Sequence, residues 1–323
     1  MIRLDHRFAS MGGTARVTLE SATTPRTELE RHAAAIRAVI EDAEAALTRF
    51  RAESELSALN RDPRSAVPAS PLLRHLALAV RAAGARSGGL VDATLLGPLE
   101  EQGYATSRAG VAPATLDEAL AAAPPRRPAR PHPSRAHAGV GVDAQGRVVR
   151  PAGVRLDSGG LGKGLAADVA AMTVPAGIRY AISCGGDLAV GGCPPESPWE
   201  IAVHSARTGA EIHRLRVRSG GVATSGISSR LWRRRDGSFA HHLIDPSTGA
   251  PAWTGLVAVT AVAVTTLDAE VLAKTAILSG PDRARTLLGR RGGVLQHDDG
   301  RVEIVAGPPA ICLRRPTATE RAA

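Results

Sequence analysis

Lys163 closes a glycine-rich run, Leu156-Asp157-Ser158-Gly159-Gly160-Leu161-Gly162-Lys163-Gly164. A strand that enters such a turn and leaves it as a helix presents free backbone N–H groups and the positive end of a helix dipole, a geometry that holds phosphate. The run is not a Walker loop. The first glycine that loop requires would fall at 157, which is Asp, and Gly164 stands where Ser or Thr is needed. Nor does Gly160-Leu161-Gly162-Lys163-Gly164 have the spacing of a Rossmann fingerprint. Two readings stay open, a tight turn with a surface lysine or an anion cradle. Composition favours the second. Only two of the forty Lys and Arg residues are lysines, Lys163 and Lys274. An ammonium is a compact point charge where a guanidinium is a planar fork, so a lysine kept in an arginine-rich chain points to function.

Three further segments carry chemistry. Ser183-Cys184-Gly185-Gly186-Asp187 follows an apolar strand, and its paired glycines permit positive φ or the close approach of a ligand. His241-His242-Leu243-Ile244-Asp245-Pro246-Ser247-Thr248-Gly249 offers an imidazole able to take a proton from a hydroxyl nucleophile near neutral pH. Successive strand residues face opposite ways, so at most one of the two histidines faces a given site. In Asp268-Ala269-Glu270-Val271-Leu272-Ala273-Lys274-Thr275, Glu270 and Lys274 are four apart on one helix face. They read either as a surface ion pair or as a carboxylate and a cation beside a phosphate or metal.

The elements that must position these groups are legible in part. Arg3 to Phe8 and Thr14 to Glu20 read as strands about the turn Met11-Gly12-Gly13. Thr24-Pro25 predicts an N-cap followed by a first-turn proline. Leu29, Ile36, Ile40, Ala43 and Leu47 then recur at helical spacing, giving an amphipathic helix over 26–48. Ser70-Pro71 opens a second helix, which stops at Ser87-Gly88-Gly89. Residues 124–138 carry five prolines and read as a solvated loop or linker. A hairpin turning at Asp143–Gly146 is expected between Gly139 and Arg155, and a helix from Lys163 to Met172. Strands are expected at Tyr180–Ser183, Leu188–Val190, Trp199–Val203, Ile212–Val217 and Leu256–Thr265. A last helix, capped by Thr266 or Asp268, runs to about Ser279.

The chain has 323 residues, a formal charge of +9, 44% hydrophobic and 22% charged residues. That excludes wholesale disorder and allows one large domain or two average ones. Three cysteines, with Cys184 and Cys193 nine apart and Cys312 remote, exclude a disulfide scaffold and any C-x-x-C pair. Aromatics are 2% and the arginines are scattered, so no nucleic-acid partner is expected. The dense basic run Arg230 to Arg235 reads as a solvated loop. The N-terminus has no signal-peptide pattern, and Leu256 to Val264 is too short to span a bilayer, so no membrane insertion and a cytoplasmic location are expected.

The motifs occur in an order that resembles the FAD:protein FMN transferases, the ApbE-type flavin-attaching enzymes, from Met11 to about Gly280. The matching pieces include Met11-Gly12-Gly13-Thr14, Phe50 through Asn60, Gly89-Leu90-Val91-Asp92-Ala93-Thr94 with Gly97-Pro98-Leu99, and Leu156 through Gly164. Cys184-Gly185-Gly186-Asp187, Ala223-Thr224-Ser225-Gly226, His242 through Pro246 with Thr248-Gly249, and Ala269-Glu270 through Lys274 follow.

The resemblance implies an enzyme that binds FAD and presents its phosphoanhydride to a Thr or Ser hydroxyl of an acceptor protein. FMN is then left in phosphoester linkage and AMP is released. It implies an α+β fold of two mixed α/β parts with the flavin in the cleft between them. The parts would be residues 1–123 and 139–316, joined by 124–138 and followed by a tail at 317–323. Met11, Phe50, Asp157, Lys163 and Ile244 would line the FAD site, and Lys163 and His242 would serve catalysis, His242 as the base. Gly160 would offer its carbonyl to magnesium, with the ligand positions of the last helix falling at Glu270 and Lys274.

Two departures stand out. The family usually carries Asp and Thr where this chain has Glu270 and Lys274, and a charged lysine has no lone pair for a metal. At ~4 Å and an effective dielectric near 20, an ammonium beside a divalent ion costs roughly 8 kcal/mol before anions screen it. Lys274 could swing away to pair with Glu270, replace part of the metal's charge, or mark a protein that binds FAD without transferring it. The tryptophan that many members carry within the 97–104 segment is also missing, so that a flavin contact is either lost or supplied by Tyr104. Outside the transferase reading stand an FAD-binding module, an FAD pyrophosphatase and a basic interaction protein.

Overall fold

A computed structural model describes residues 1–192, 197–307 and 311–312. Cys193, the end of the expected C-terminal part beyond Cys312 and the tail at 317–323 lie outside the described residues.

The chain begins with a hairpin, β1 (Ile2–Ser10) and β2 (Gly13–Ser21), and the amphipathic helix α1 (Arg26–Leu47). Leu29, Ile36, Ile40, Ala43 and Leu47 all turn inward, as their spacing predicts. The expected cap differs. Pro25 itself is the N-cap, and Thr24 is held in a local turn in which its N–H donates to Ser21 Oγ at 3.1 Å. Next come α2 (Glu55–Arg61), β3 (Ala66–Pro68) and α3 (Pro71–Arg86). Ser70 caps α3 by accepting from the Leu73 N–H at 3.2 Å, with Pro71 in the first turn, as read from sequence.

Two short helices, α4 (Leu96–Glu101) and α5 (Leu116–Ala121), precede the proline-rich segment. The hairpin expected after that segment is β4 (Gly141–Val142) with β5 (Arg147–Val149), and the Gly146 N–H closes its turn onto Asp143 O at 3.0 Å. Then follow α6 (Gly162–Met172), β6 (Arg179–Cys184), β7 (Asp187–Gly191), β8 (Trp199–His204), β9 (Glu211–Gly226), β10 (Leu231–Arg233), β11 (Phe239–His241) and β12 (Leu256–Ala263). The described chain ends with α7 (Thr266–Ser279), α8 (Pro281–Leu288), β13 (Gly293–His297), β14 (Val302–Val305) and β15 (Ile311–Cys312).

Ten strands form one sheet in the order β1-β2-β6-β7-β9-β12-β13-β14, with β8 and β15 also on β9. β3-β5-β4 and β10-β11 are smaller separate sheets. Every residue of β12 is buried, as expected of an apolar central strand covered on both faces. The helices α1 and α6 cover β1, β2 and β6 through Leu29, Ile36, Ile40, Ala166, Ala167 and Ala170. Alanine along α6 lets the helices approach closely.

Two boundaries move from their expected places. Thr265, not Thr266 or Asp268, caps α7, because its hydroxyl accepts the Asp268 N–H at 3.0 Å while Thr266 is already helical. β9 does not stop at Val217 but runs on through Gly220-Gly221 to Gly226, 16 residues in all. These glycines look like a turn in sequence. A Cβ at Gly221 would collide with the backbone of Thr266, so the glycine admits the start of α7 onto the strand.

Of the expected loop 124–138, residues 124–135 form no helix or strand and its end enters a short 3-10 helix (Ala136–Gly139), and the backbone is fastened down. The Arg127 N–H donates to Trp253 O at 3.0 Å, Ala129 N–H to Leu278 O at 2.8 Å, and Arg130 N–H to Asp245 Oδ1 at 3.1 Å. The basic run at 230–235 is likewise engaged, with Trp232 buried and Arg234 bonded to Gln102 Oε1 at 2.6 Å.

Candidate functional site

The glycine run delivers Lys163 into the first turn of α6. Leu161 and Gly162 both donate N–H to Ser158 O, at 2.9 and 2.7 Å, and Ser158 Oγ anchors this turn on Leu47 O at 2.7 Å. The Lys163 ammonium pairs with Asp187 at the start of β7 and lies 3.7 Å from Glu270 Oε1 on α7. Glu270 Oε2 accepts the Gly164 N–H at 2.9 Å. Three segments remote in sequence thus meet at the N-terminus of α6. Gly164 makes this possible, since a Cβ there would stand 2.7 Å from Leu267 Cα.

The two carboxylates are almost wholly shielded, at 1% exposure for Asp187 and 4% for Glu270, while Lys163 retains 29%. Burial works against the charge of Lys163, but Asp187 and Glu270 outweigh it and hold the ammonium above its usual range. Burial raises the Glu270 carboxyl to about 7, with Lys163 opposing. Lys274, one turn beyond Glu270, is lowered by burial, with Glu270 and Asp157 pulling the other way.

Lys274 lies against the backbone of Gly160. A Cβ built on that glycine would collide with Nζ and sit 3.0 Å from Cε. Lys274 makes no hydrogen bond or ion pair with the described residues. This arrangement does not suit a divalent ion. The Gly160 carbonyl neighbourhood holds an ammonium, and Glu270 is already committed to Gly164 and Lys163. Among the described residues no group of three or more His, Cys, Asp or Glu is gathered as a metal site.

Beside the turn, Asp157 accepts Arg49 Nε–H at 2.8 Å, and its own N–H donates to Ala93 O at 2.8 Å. Arg49 in turn lies under two rings, 4.2 Å from the centre of Phe50 and 4.8 Å from that of Tyr104. Tyr104 continues to Trp232 at 5.5 Å, whose Nε1 donates to Gln102 O at 2.9 Å. Phe50 is the outer face of this ladder and is 39% exposed. The tryptophan absent from the α4 segment has a spatial neighbour in Trp232, which arrives from β10.

Met11 and Gly12 make the two-residue turn of the first hairpin, with φ of 52° and 69°. Positive φ at both positions matches the twist of a hairpin but strains a methionine by about 1 kcal/mol. Arg230 clamps the turn by donating Nη2–H to Gly12 O at 2.7 Å.

The paired histidines part company. His241 is fully buried with its ring edge-on to Trp253 at 4.7 Å, and burial pushes it down to about 3. His242 is half-buried, and its Nδ1 finds no partner among the described residues. Burial, then the charges of Lys274, His241, Lys163 and Arg230, hold His242 well below the usual imidazole range, so its ring is neutral at neutral pH. Ile244 is buried and bridges to Pro251. Asp245 serves the turn itself, accepting from Ser247 N–H at 3.0 Å and Ser247 Oγ at 2.8 Å.

Lys163, Gly160, Asp157, Glu270, Lys274 and His242 are therefore grouped by contact or by direct electrostatic influence. Phe50 stands on the Arg49 side and Met11 on the Arg230 side, while Ile244 is part of the packing behind His242. Asp187, Arg49, Trp232 and Arg230 were missed as site residues. Asp187 and Arg49 adjoin recognised motifs, whereas Trp232 and Arg230 carry no signal until β10 is folded.

Residues 11–296 match the sequence model of the ApbE family. A Treponema pallidum protein named FAD:protein FMN transferase is 30% identical over 92% of this chain and 90% of its own length. The Escherichia coli protein of that name is 34% identical over 142 residues, and the chain spans only 40% of that relative's length. The fold is that of an ApbE protein of Thermotoga maritima, with a TM-score of 0.76 at 24% identity over 94% of this chain and 97% of that one. The Pseudomonas stutzeri flavinyl transferase ApbE gives 0.72 at 24% identity over 94% and 95%. Matched along most of its length by the family's pattern and by a relative of nearly equal extent, this chain belongs to the ApbE family.

Proposed function

We propose that the protein moves FMN from FAD to a Thr or Ser hydroxyl of an acceptor protein and releases AMP. The observation that carries this reading is the meeting of Lys163, Lys274 and a neutral His242 at the N-terminus of α6, in a chain whose relatives are named for that reaction. FAD enters as the substrate. Its diphosphate is met by two ammonium groups and by the positive end of the α6 dipole, which offset its negative charge. The Arg49-Phe50-Tyr104-Trp232 ladder supplies ring faces for the flat part of the nucleotide.

The acceptor oxygen attacks the phosphorus on the riboflavin side. A new P–O bond forms as the anhydride bond to AMP breaks, and AMP leaves with the electron pair of that bond. The hydroxyl proton passes to His242. Such a transfer asks for alignment and charge neutralisation rather than covalent help. His242 is a weak base while two lysines face it, and it strengthens as the incoming anion offsets them. Magnesium, which the resemblance implies, is given no step here, because the donors at Gly160, Glu270 and Lys274 do not suit it. The absence of a nucleic-acid partner belongs to the same reading, supported by scattered arginines and few aromatics. No helix among the described residues is long and apolar enough to cross a membrane.

The test is incubation of the full chain with FAD and an acceptor protein carrying an accessible Thr. The acceptor is expected to become fluorescent in a denaturing gel, with AMP released in equal amount. Free FMN and AMP without labelling would show a pyrophosphatase, and FAD retained without AMP would show a carrier. Either result overturns the reading.

A further inference from the structure

Without Lys274 the centre of the site would be wrong for a diphosphate. Lys163 faces two carboxylates, Asp187 and Glu270, and one ammonium cannot offset both whenever Glu270 is ionised. Asp157 is paired with Arg49 at 2.8 Å. A divalent ion between Gly160 and Glu270 would reverse that balance. Lys274 reverses it from within the chain.

Its placement is specific. The stem of Lys274 lies flat on Gly160, so closely that any side chain at 160 would collide with the ammonium. Its donors are not spent on the described residues: Glu270 hydrogen-bonds Gly164 and neighbours Lys163 instead. Composition bears on the same point. This chain writes all but two of its forty Lys and Arg residues as arginine, and the two lysines flank one carboxylate. A guanidinium is too broad to occupy the space of a bare ion, whereas an ammonium is compact.

We infer that the Lys274 ammonium is a resident cation that stands in the position of a divalent metal, so that this chain binds the diphosphate of FAD without one. The inference rests on FAD being the substrate. Lys274 would donate hydrogen bonds to diphosphate oxygens from the Gly160 side while Lys163 donates from the Asp187 side. The ligand class is a nucleoside diphosphate ester, and the flavin ring plays no part in this contact.

Calorimetric titration of the full chain with FAD, in EDTA and then in millimolar magnesium, tests it. The wild-type Kd is expected to differ by less than about threefold between the two conditions. Lys274→Met should weaken FAD binding about 10- to 100-fold in EDTA while leaving riboflavin binding unchanged. Lys274→Thr should bind FAD weakly in EDTA and regain affinity in magnesium. Wild-type binding that appears only with magnesium overturns the inference and leaves the proposed transferase standing. So does a folded Lys274→Met protein that binds FAD like the wild type in EDTA. If the wild type binds FAD in neither condition, the proposed function fails and the inference with it. Should Lys274→Met not fold, the wild-type comparison alone decides.

Discussion

His241 and His242 show how far one peptide unit separates two fates. His241 ends β11 with its ring against Trp253, while His242, one residue past the strand, lies within the electrostatic reach of the lysines. His242→Ala should lower kcat by about 10²–10⁴-fold with little change in FAD affinity, as for loss of a general base. Stopped-flow transfer alongside FAD titration checks this, and an equal loss of both would mark a structural histidine. His241 predicts a pH effect on stability. Its folded value is about 3 against 6.5 when unfolded, so between these limits the unfolded chain holds more protons. Unfolding free energy should therefore fall as pH drops from about 6.5, by up to ~1.4 kcal/mol per pH unit from this residue. Urea titrations of wild type and His241→Phe between pH 7 and 4 should show a shallower decline in the variant. The two-residue period predicts that the rings part, but they part because the strand ends at His241, which the sequence does not mark. The Arg49-Tyr104-Trp232 ladder was not, because its rings come from segments over a hundred residues apart.

At the scale of elements, the site is a joint between α6 and α7. Asp168 of α6 accepts the N–H groups of Thr266 and Leu267, each at 2.9 Å, and so ties the two helices at the start of α7. Gly164 sets their spacing. Gly164→Ala would press a methyl into Leu267 and Glu270, at 2.7 and 2.9 Å, and should destabilise the protein by about 1–3 kcal/mol. Calorimetry should show a lower Tm, with weaker FAD binding as Lys163 and Glu270 separate. Helices with a strong stripe or a serine cap, α1 and α3, could be read almost to the residue. The cap of α7 falls one residue before Thr266 and three before Asp268, because all three types are good capping residues and the tie of the helix to Asp168 decides among them. β9 was cut short because a glycine pair looks the same whether it turns a strand or makes room for a helix.

The whole molecule is drawn together by a strap with no regular structure. Residues 127–130 are hydrogen-bonded to Trp253, Leu278 and Asp245, and the Ser247 N–H returns a bond to Arg130 O at 3.0 Å. Asp245 is the buried knot, with three donors converging on one carboxylate oxygen. Asp245→Ala should cost about 1–2 kcal/mol, since it removes the carboxylate on which three hydrogen bonds converge. It should also expose residues 124–135 to trypsin under native conditions, which limited proteolysis would reveal. The proline content identified this segment as irregular, but not its anchorage, because backbone donors leave no mark in the sequence. One feature of composition has a practical outcome. The only two lysines lie in α6 and α7. An endoprotease specific for lysine therefore has just two peptide bonds to attack, both inside the joint that forms the site. Digestion of the native protein by such an enzyme would clock the opening of those two helices and nothing else, turning a bias in amino-acid usage into a local reporter of breathing.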